Sequence, residues 1–227
     1  MPTPDQLPFQ FPEARLSFDD LCKTPANQPA ISAIRDVDHW SGPAFCLIGP
    51  ARSGLSTLAV AWAAERVGHY IDLSEDQPGA LPCPQDLAGE AVVVDRADLC
   101  RQDDWLLTVY SSVQRLGGRL LLTGRTGPAD WGLNSVDLAS RLRSAPMARL
   151  GPPDEALMRA RLHRAAARAA LSLPPAVESY LMVRLGLNYD AIEDAVARLA
   201  GSAGGRQALT VPMARAVLEA AAGGCAE

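Results

Sequence analysis

The segment GPARSGLST, Gly49 to Thr57, keeps both glycines and the paired hydroxyls of the pattern G-x-x-x-x-G-K-[ST]. That spacing lets the backbone curl until consecutive N–H groups and a helix N-terminus face one anion, which is how a chain cradles phosphate. Gly49, Gly54, Ser56 and Thr57 are therefore candidate nucleotide-binding residues. Leu55 stands where the pattern has lysine. A leucine neither neutralises the β- and γ-phosphates nor stabilises the charge that builds up during phosphoryl transfer. Lys23 is the chain's one lysine, and Arg52 at the loop apex is read as a surface arginine, so the missing charge has no evident substitute.

A second element is AVVVDRAD, an apolar run ending in Asp95, where a carboxylate can hold Mg²⁺ through water. Arg96 follows it. An acid would help orient an attacking water at that position, and a cation has the wrong sign. Nothing indicates a metal bound by protein ligands. Cys22, Cys46, Cys83, Cys100 and Cys225 include no C-x-x-C pair, and His39, His69 and His163 stand singly. Cys46 and Cys100 lie in or beside apolar runs, as small hydrophobes do.

Positioning these groups calls for strands that end at the loop and at Asp95. Short apolar runs suited to burial on both faces occur at Ala44 to Gly49, His69 to Leu73, Ala91 to Asp95, Arg119 to Gly124 and Met147 to Leu150. Helical patterns fall between them at Ser56 to Val67, Asp103 to Leu116 and Ser135 to Arg143, with glycines or a proline stopping each. The alternation predicts an α/β fold, a five-stranded parallel sheet covered by helices, over residues 14–152. After Pro152 and Pro153 the strands cease and Ala, Leu and Arg dominate. Residues 153–227 are predicted to form a small all-α domain of four helices, with Asp154, Asn188 and Thr210 as caps and Pro175 in a first turn.

Residues 1–13 carry too many prolines for a helix and form an extended arm, yet Leu7, Phe9 and Phe11 make it apolar. Apolar residues on such an arm suit a docking peptide. The net charge of −5 disfavours direct DNA binding, since proteins that neutralise phosphates along a duplex are basic. No apolar run is long enough for a membrane span and no secretory signal opens the chain, which predicts a cytoplasmic protein.

The loop, the acidic strand end, LLTGR, DLASRL (Asp137 to Leu142) and a helical end segment occur here in the order found in the AAA+ module of the replication initiator DnaA. With PANQPA (Pro25 to Ala30), LTVPMARAVLEA (Leu209 to Ala220) and QLPFQF (Gln6 to Phe11), the chain resembles the Hda-type, DnaA-related regulators. The resemblance implies a P-loop AAA+ module followed by a lid, with ADP or ATP as the cofactor. It implies an arm whose Gln6, Leu7, Phe9 and Phe11 dock on the replicative sliding clamp, the beta subunit of DNA polymerase III. DnaA is the implied second partner, and self-association is allowed.

Under the same resemblance Arg141 of DLASRL corresponds to the arginine finger that AAA+ proteins insert into a neighbour's site. Asp190 falls where a sensor arginine is usual on the third lid helix, and Gly124 and Arg125 where a small polar residue and an acid are usual. These departures, with Leu55 and Arg96, speak against bound nucleotide and against catalysis by the chain itself. The expected function is inactivation of DnaA by promoting hydrolysis of its bound ATP, which restrains initiation. Two rivals are a diverged paralogue that competes for the same contacts and stimulates initiation, and a weak ATPase in its own right. The sequence ends after the lid segment, where DnaA continues into a helix-turn-helix domain, in keeping with the expectation of no direct DNA binding.

Overall fold

The computed structural model describes residues 17–74, 81–202 and 209–222. Five strands, β1 (Ala44–Ile48), β2 (His69–Asp72), β3 (Ala91–Asp95), β4 (Arg119–Gly124) and β5 (Met147–Arg149), form one parallel sheet in the order β2-β3-β4-β1-β5. The order places β1, which feeds the loop, beside β4, and Asp95 at the end of the strand on β4's other side. Both faces of the central strands β3, β4 and β1 are covered, which is why these carry unbroken apolar runs, whereas the edge strands β2 and β5, expected to be buried on both faces, are largely exposed.

On one face Cys46, Val92, Val94, Leu120 and Leu122 pack against α3 (Asp103–Leu116) and α4 (Val136–Ser144). Burial raises the Cys46 thiol to about 12, so it stays protonated as a packing group. On the other face Phe45, Leu47, Val93 and Leu121 pack against α1 (Gln28–Arg35) and α2 (Leu55–Glu65). Trp62 joins those two helices by donating its indole N–H to the Ile34 carbonyl at 2.7 Å.

Helix α1 is absent from the sequence expectations. It is eight residues long and carries Pro29 in its first turn, so its apolar positions Ala30, Ile31 and Ile34 span too few turns to show a period. The predicted Ser56 to Val67 helix is shorter at its C-terminal end, because Val67 adopts φ 51° and turns the chain toward β2. Gly68 follows there because any side chain would collide with the Ala91 carbonyl of β3.

Beyond Pro153 come α5 (Glu155–Arg168), α6 (Pro175–Leu185), α7 (Tyr189–Ser202) and α8 (Val211–Ala222), packed around a third apolar cluster that includes Met158, Leu162, Leu181, Ile192 and Leu199. Asp154 caps α5 by accepting from the Leu157 amide at 2.8 Å. Asn188 accepts from the Asp190 amide and Thr210 from the Met213 amide at the starts of the last two helices. Among the described residues no helix is long and apolar enough to cross a membrane.

Candidate functional site

The loop from Gly49 to Thr57 leaves the end of β1 and enters α2, the geometry its spacing predicted. Arg52 (φ 57°) and Gly54 (φ 103°) are both left-handed, which curls the loop, and the Ser53 amide between them donates to the Pro50 carbonyl at 3.2 Å. Gly49 has no room for a side chain, since a Cβ would lie 3.0 Å from both Leu150 Cβ and Ser53 Oγ. The Ser53 hydroxyl is buried and has no hydrogen-bond partner among the described residues. An orphaned buried donor costs about 1–3 kcal/mol, a cost relieved when a ligand accepts from it. Leu55, partly buried, lines the cavity above the loop with an apolar side chain. It packs against the cluster of Phe45, Leu58 and Leu150.

A cavity of about 660 Å³ opens above the loop, bounded by Leu21, Cys22 and Asn27 on one side and by α5 on the other. Arg52, Arg96, Arg125, Arg161, Arg164 and Arg168 line it against three carboxylates, Asp95, Asp98 and Glu193. A net-acidic protein has gathered positive charge here. A cavity with low-dielectric walls focuses such a field on an anionic ligand.

Asp95 is almost wholly buried and makes no ion pair among the described residues. Its Oδ1 accepts from the Thr123 hydroxyl of β4, and its Oδ2 accepts from the Tyr70 hydroxyl of β2 at 2.7 Å. Thr123 in turn accepts from the Arg96 amide at 2.9 Å. Burial pushes the Tyr70 phenol far above its ordinary range, the bond to Asp95 adds to this, and the nearby Ser56 hydroxyl opposes it. The Arg96 side chain lies 3.7 Å from Asp72.

Arg52 is exposed, as expected of a surface arginine, and its guanidinium lies 3.5 Å from Asp190 and 3.3 Å from Asp194, both on α7. Asp190 is accordingly held by a cation of the loop. Arg161 from α5 donates to the Arg52 carbonyl, stacks over the Tyr189 ring at 4.6 Å and covers Gly54 so closely that a Cβ there would sit 2.8 Å from its Nη2. Burial lowers the Arg161 pKa.

Arg141 lies on α4, outside the lining of the cavity. Its Nε donates to Asp137 at 2.8 Å, its Nη1 to Gln114 at 3.3 Å, and its guanidinium rests 5.4 Å from the centre of the Tyr110 ring. Gln6, Leu7, Phe9 and Phe11 lie outside the described residues. Tyr70, Thr123, Ser53, Arg161 and Arg164 were not singled out by the sequence. A usable signal existed for the arginines, since positions 161, 164 and 168 share one stripe of a helix.

The fit to a nucleotide is good in the loop: two glycines a side chain would crowd, an orphaned buried hydroxyl and a cationic wall. No family model and no curated protein matches the chain. Among solved structures, domain III of the Thermotoga maritima replication initiation protein DnaA is similar at TM-score 0.72 and 15% identity, covering 92% of this chain and 97% of that one. The AMPPCP-bound DnaA of Aquifex aeolicus is similar at TM-score 0.62 and 15% identity, over 85% of this chain and 67% of that one. The Thermotoga maritima RuvB Holliday junction branch migration motor is similar at TM-score 0.62 and 16% identity, over 90% of this chain and 72% of that one. At such identities the likeness is one of fold: the chain has the α/β fold seen in DnaA domain III and RuvB.

Proposed function

We propose that the chain is a DnaA-related regulator of replication initiation that acts on a partner's nucleotide and does not turn over its own. The observation that carries this reading is the separation of Arg141 from the chain's own cavity. A guanidinium on a partly exposed helix can be offered to a neighbour's phosphates, where a fixed cation stabilises developing charge. Leu55, an apolar side chain in the cavity wall where the pattern has lysine, and Asp95, hydrogen-bonded through both oxygens, support a site without turnover.

In this reading residues 14–152 form the AAA+ unit, 153–227 its helical lid, and 1–13 the arm. Gln6 hydrogen-bonds at the rim of the sliding clamp's pocket while Leu7, Phe9 and Phe11 fill it. ATP on DnaA is converted to ADP, and initiation is restrained. Raising the protein's level in cells is expected to lower the number of origins per cell, and Gln6→Ala with Phe9→Ala is expected to abolish both that effect and capture by the clamp. An unchanged origin count would contradict the reading.

One observation favours a second reading, a paralogue that occupies the same contacts without delivering a finger. Arg141 is held by Asp137, Gln114 and Tyr110 rather than projecting freely. Under it, a raised level increases origins per cell.

A further inference from the structure

In phosphate loops of this fold a divalent cation sits between the loop hydroxyl and the acid ending the neighbouring strand. Here those groups are Ser56 and Asp95, and the hydroxyl of Tyr70, a residue of β2 outside the lining of this cavity, reaches Asp95. It donates to Asp95 Oδ2 at 2.7 Å, and Ser56 is near enough to influence its ionisation. The other carboxylate oxygen is engaged by Thr123. A cation entering would have to compete with the Tyr70 hydroxyl for Asp95 and bind beside Arg96. These residues do not suit a metal.

Phosphate charge must then be met otherwise, and Leu55 cannot meet it. Arg161 is suited to do so. One of its donors holds the Arg52 carbonyl, and its remaining donors have no partner among the described residues. Stacking on Tyr189 fixes the plane of the guanidinium, and partial burial leaves it less hydrated than a surface arginine. Arg164, one turn on, donates to the Asp20 carbonyl at 3.0 Å and lines the same wall. Ser53 supplies an orphaned hydroxyl inside the loop.

We propose that this cavity takes a polyphosphate group as its free anion, with Asp95 held by the Tyr70 hydroxyl where a divalent cation would bind and the Arg161 guanidinium supplying the charge that Leu55 cannot. The metal complex of the same ligand is the poorer ligand, because its cation would lie beside Arg96 and finds Asp95 already engaged. Nothing in this arrangement involves Arg141 or the N-terminal arm, so its test is separate from theirs.

The experiment is equilibrium binding of ADP to the full chain, in EDTA and then with Mg²⁺ raised until nearly all ADP is complexed. Affinity is expected in EDTA and is expected to fall about tenfold in Mg²⁺. Tyr70→Phe frees Asp95 Oδ2 and is expected to remove the penalty for Mg²⁺. Arg161→Ala is expected to weaken binding in EDTA about ten- to hundredfold, as for other hydrogen bonds to charged groups, with Arg161→Lys retaining part of it. Arg161→Gln keeps the side chain's bulk should the alanine variant not fold. Inorganic pyrophosphate is expected to displace ADP, and its affinity relative to ADP separates recognition of the phosphates from that of the nucleoside. The proposal is overturned by tighter binding in Mg²⁺, by no binding in EDTA, by no displacement by pyrophosphate, or by a Tyr70→Phe variant whose Mg²⁺ dependence matches the wild type.

Discussion

Arg52 of the phosphate loop lies 3.5 Å from Asp190 of α7, with Asp194 one turn further along the helix completing the contact at 3.3 Å. The pair joins the loop to the helices beyond Pro153 through charge. Both side chains are about half exposed, so the contact is worth roughly 0.5 kcal/mol per pair. Asp190→Arg is expected to lower the melting temperature by about 1–3 °C and to raise amide exchange in α7 and the loop together. Exchange that rises in only one of the two would show that they are not coupled.

The Asp137 carboxyl is held below its ordinary value of 3.8 by its hydrogen bond from Arg141. Since the folded-state value is depressed, the associated stability is present above the ordinary value and is lost as pH falls through the folded one. In Arg141→Gln the Asp137 resonance is expected to titrate at higher pH than in the wild type. An unmoved titration would mean that Arg141 does not rest on Asp137 in solution.

Asp154 caps α5 and accepts a second amide, that of Ala26, at 3.3 Å. Its carboxyl is lowered chiefly by the Leu157 amide. Asp154→Ala is expected to cost about 1 kcal/mol and some 2–4 °C in melting temperature at neutral pH. The loss should shrink on acidification, because the wild-type cap is itself protonated as pH falls through its depressed value. A loss of equal size at neutral and acid pH would contradict the cap.

Trp62 is fully buried, and its bond to the Ile34 carbonyl ties α2 to α1. Trp62→Phe leaves that carbonyl unpaired and is expected to destabilise by about 2–4 kcal/mol, a sum of the lost bond and the space left. Denaturant unfolding with an unchanged slope would measure it.

The strands were legible because a sheet covered on both faces demands continuous apolar runs, as in AVVVD and RLLLT. The loop and Asp95 were legible because their spacing is local. Tyr70 and Thr123 were not, since their approach to Asp95 depends on the order β2-β3-β4, which no local spacing encodes. Arg161 was hidden for a related reason. Its function follows from α5 docking over Gly54, across more than a hundred residues of sequence. The partners of Arg52 were hidden likewise, because they lie on α7.

The measurement that bears most directly on the central claim is release of phosphate from ATP bound in advance to DnaA, with sliding clamp loaded on DNA. Wild-type protein is expected to accelerate release, Arg141→Ala to leave it at the rate of DnaA alone, and the isolated chain with ATP and Mg²⁺ to release none. Fingers elsewhere contribute about 10³ to 10⁵ in rate, so the difference should be large. Equal release with wild type and Arg141→Ala, or turnover by the isolated chain, would contradict the claim.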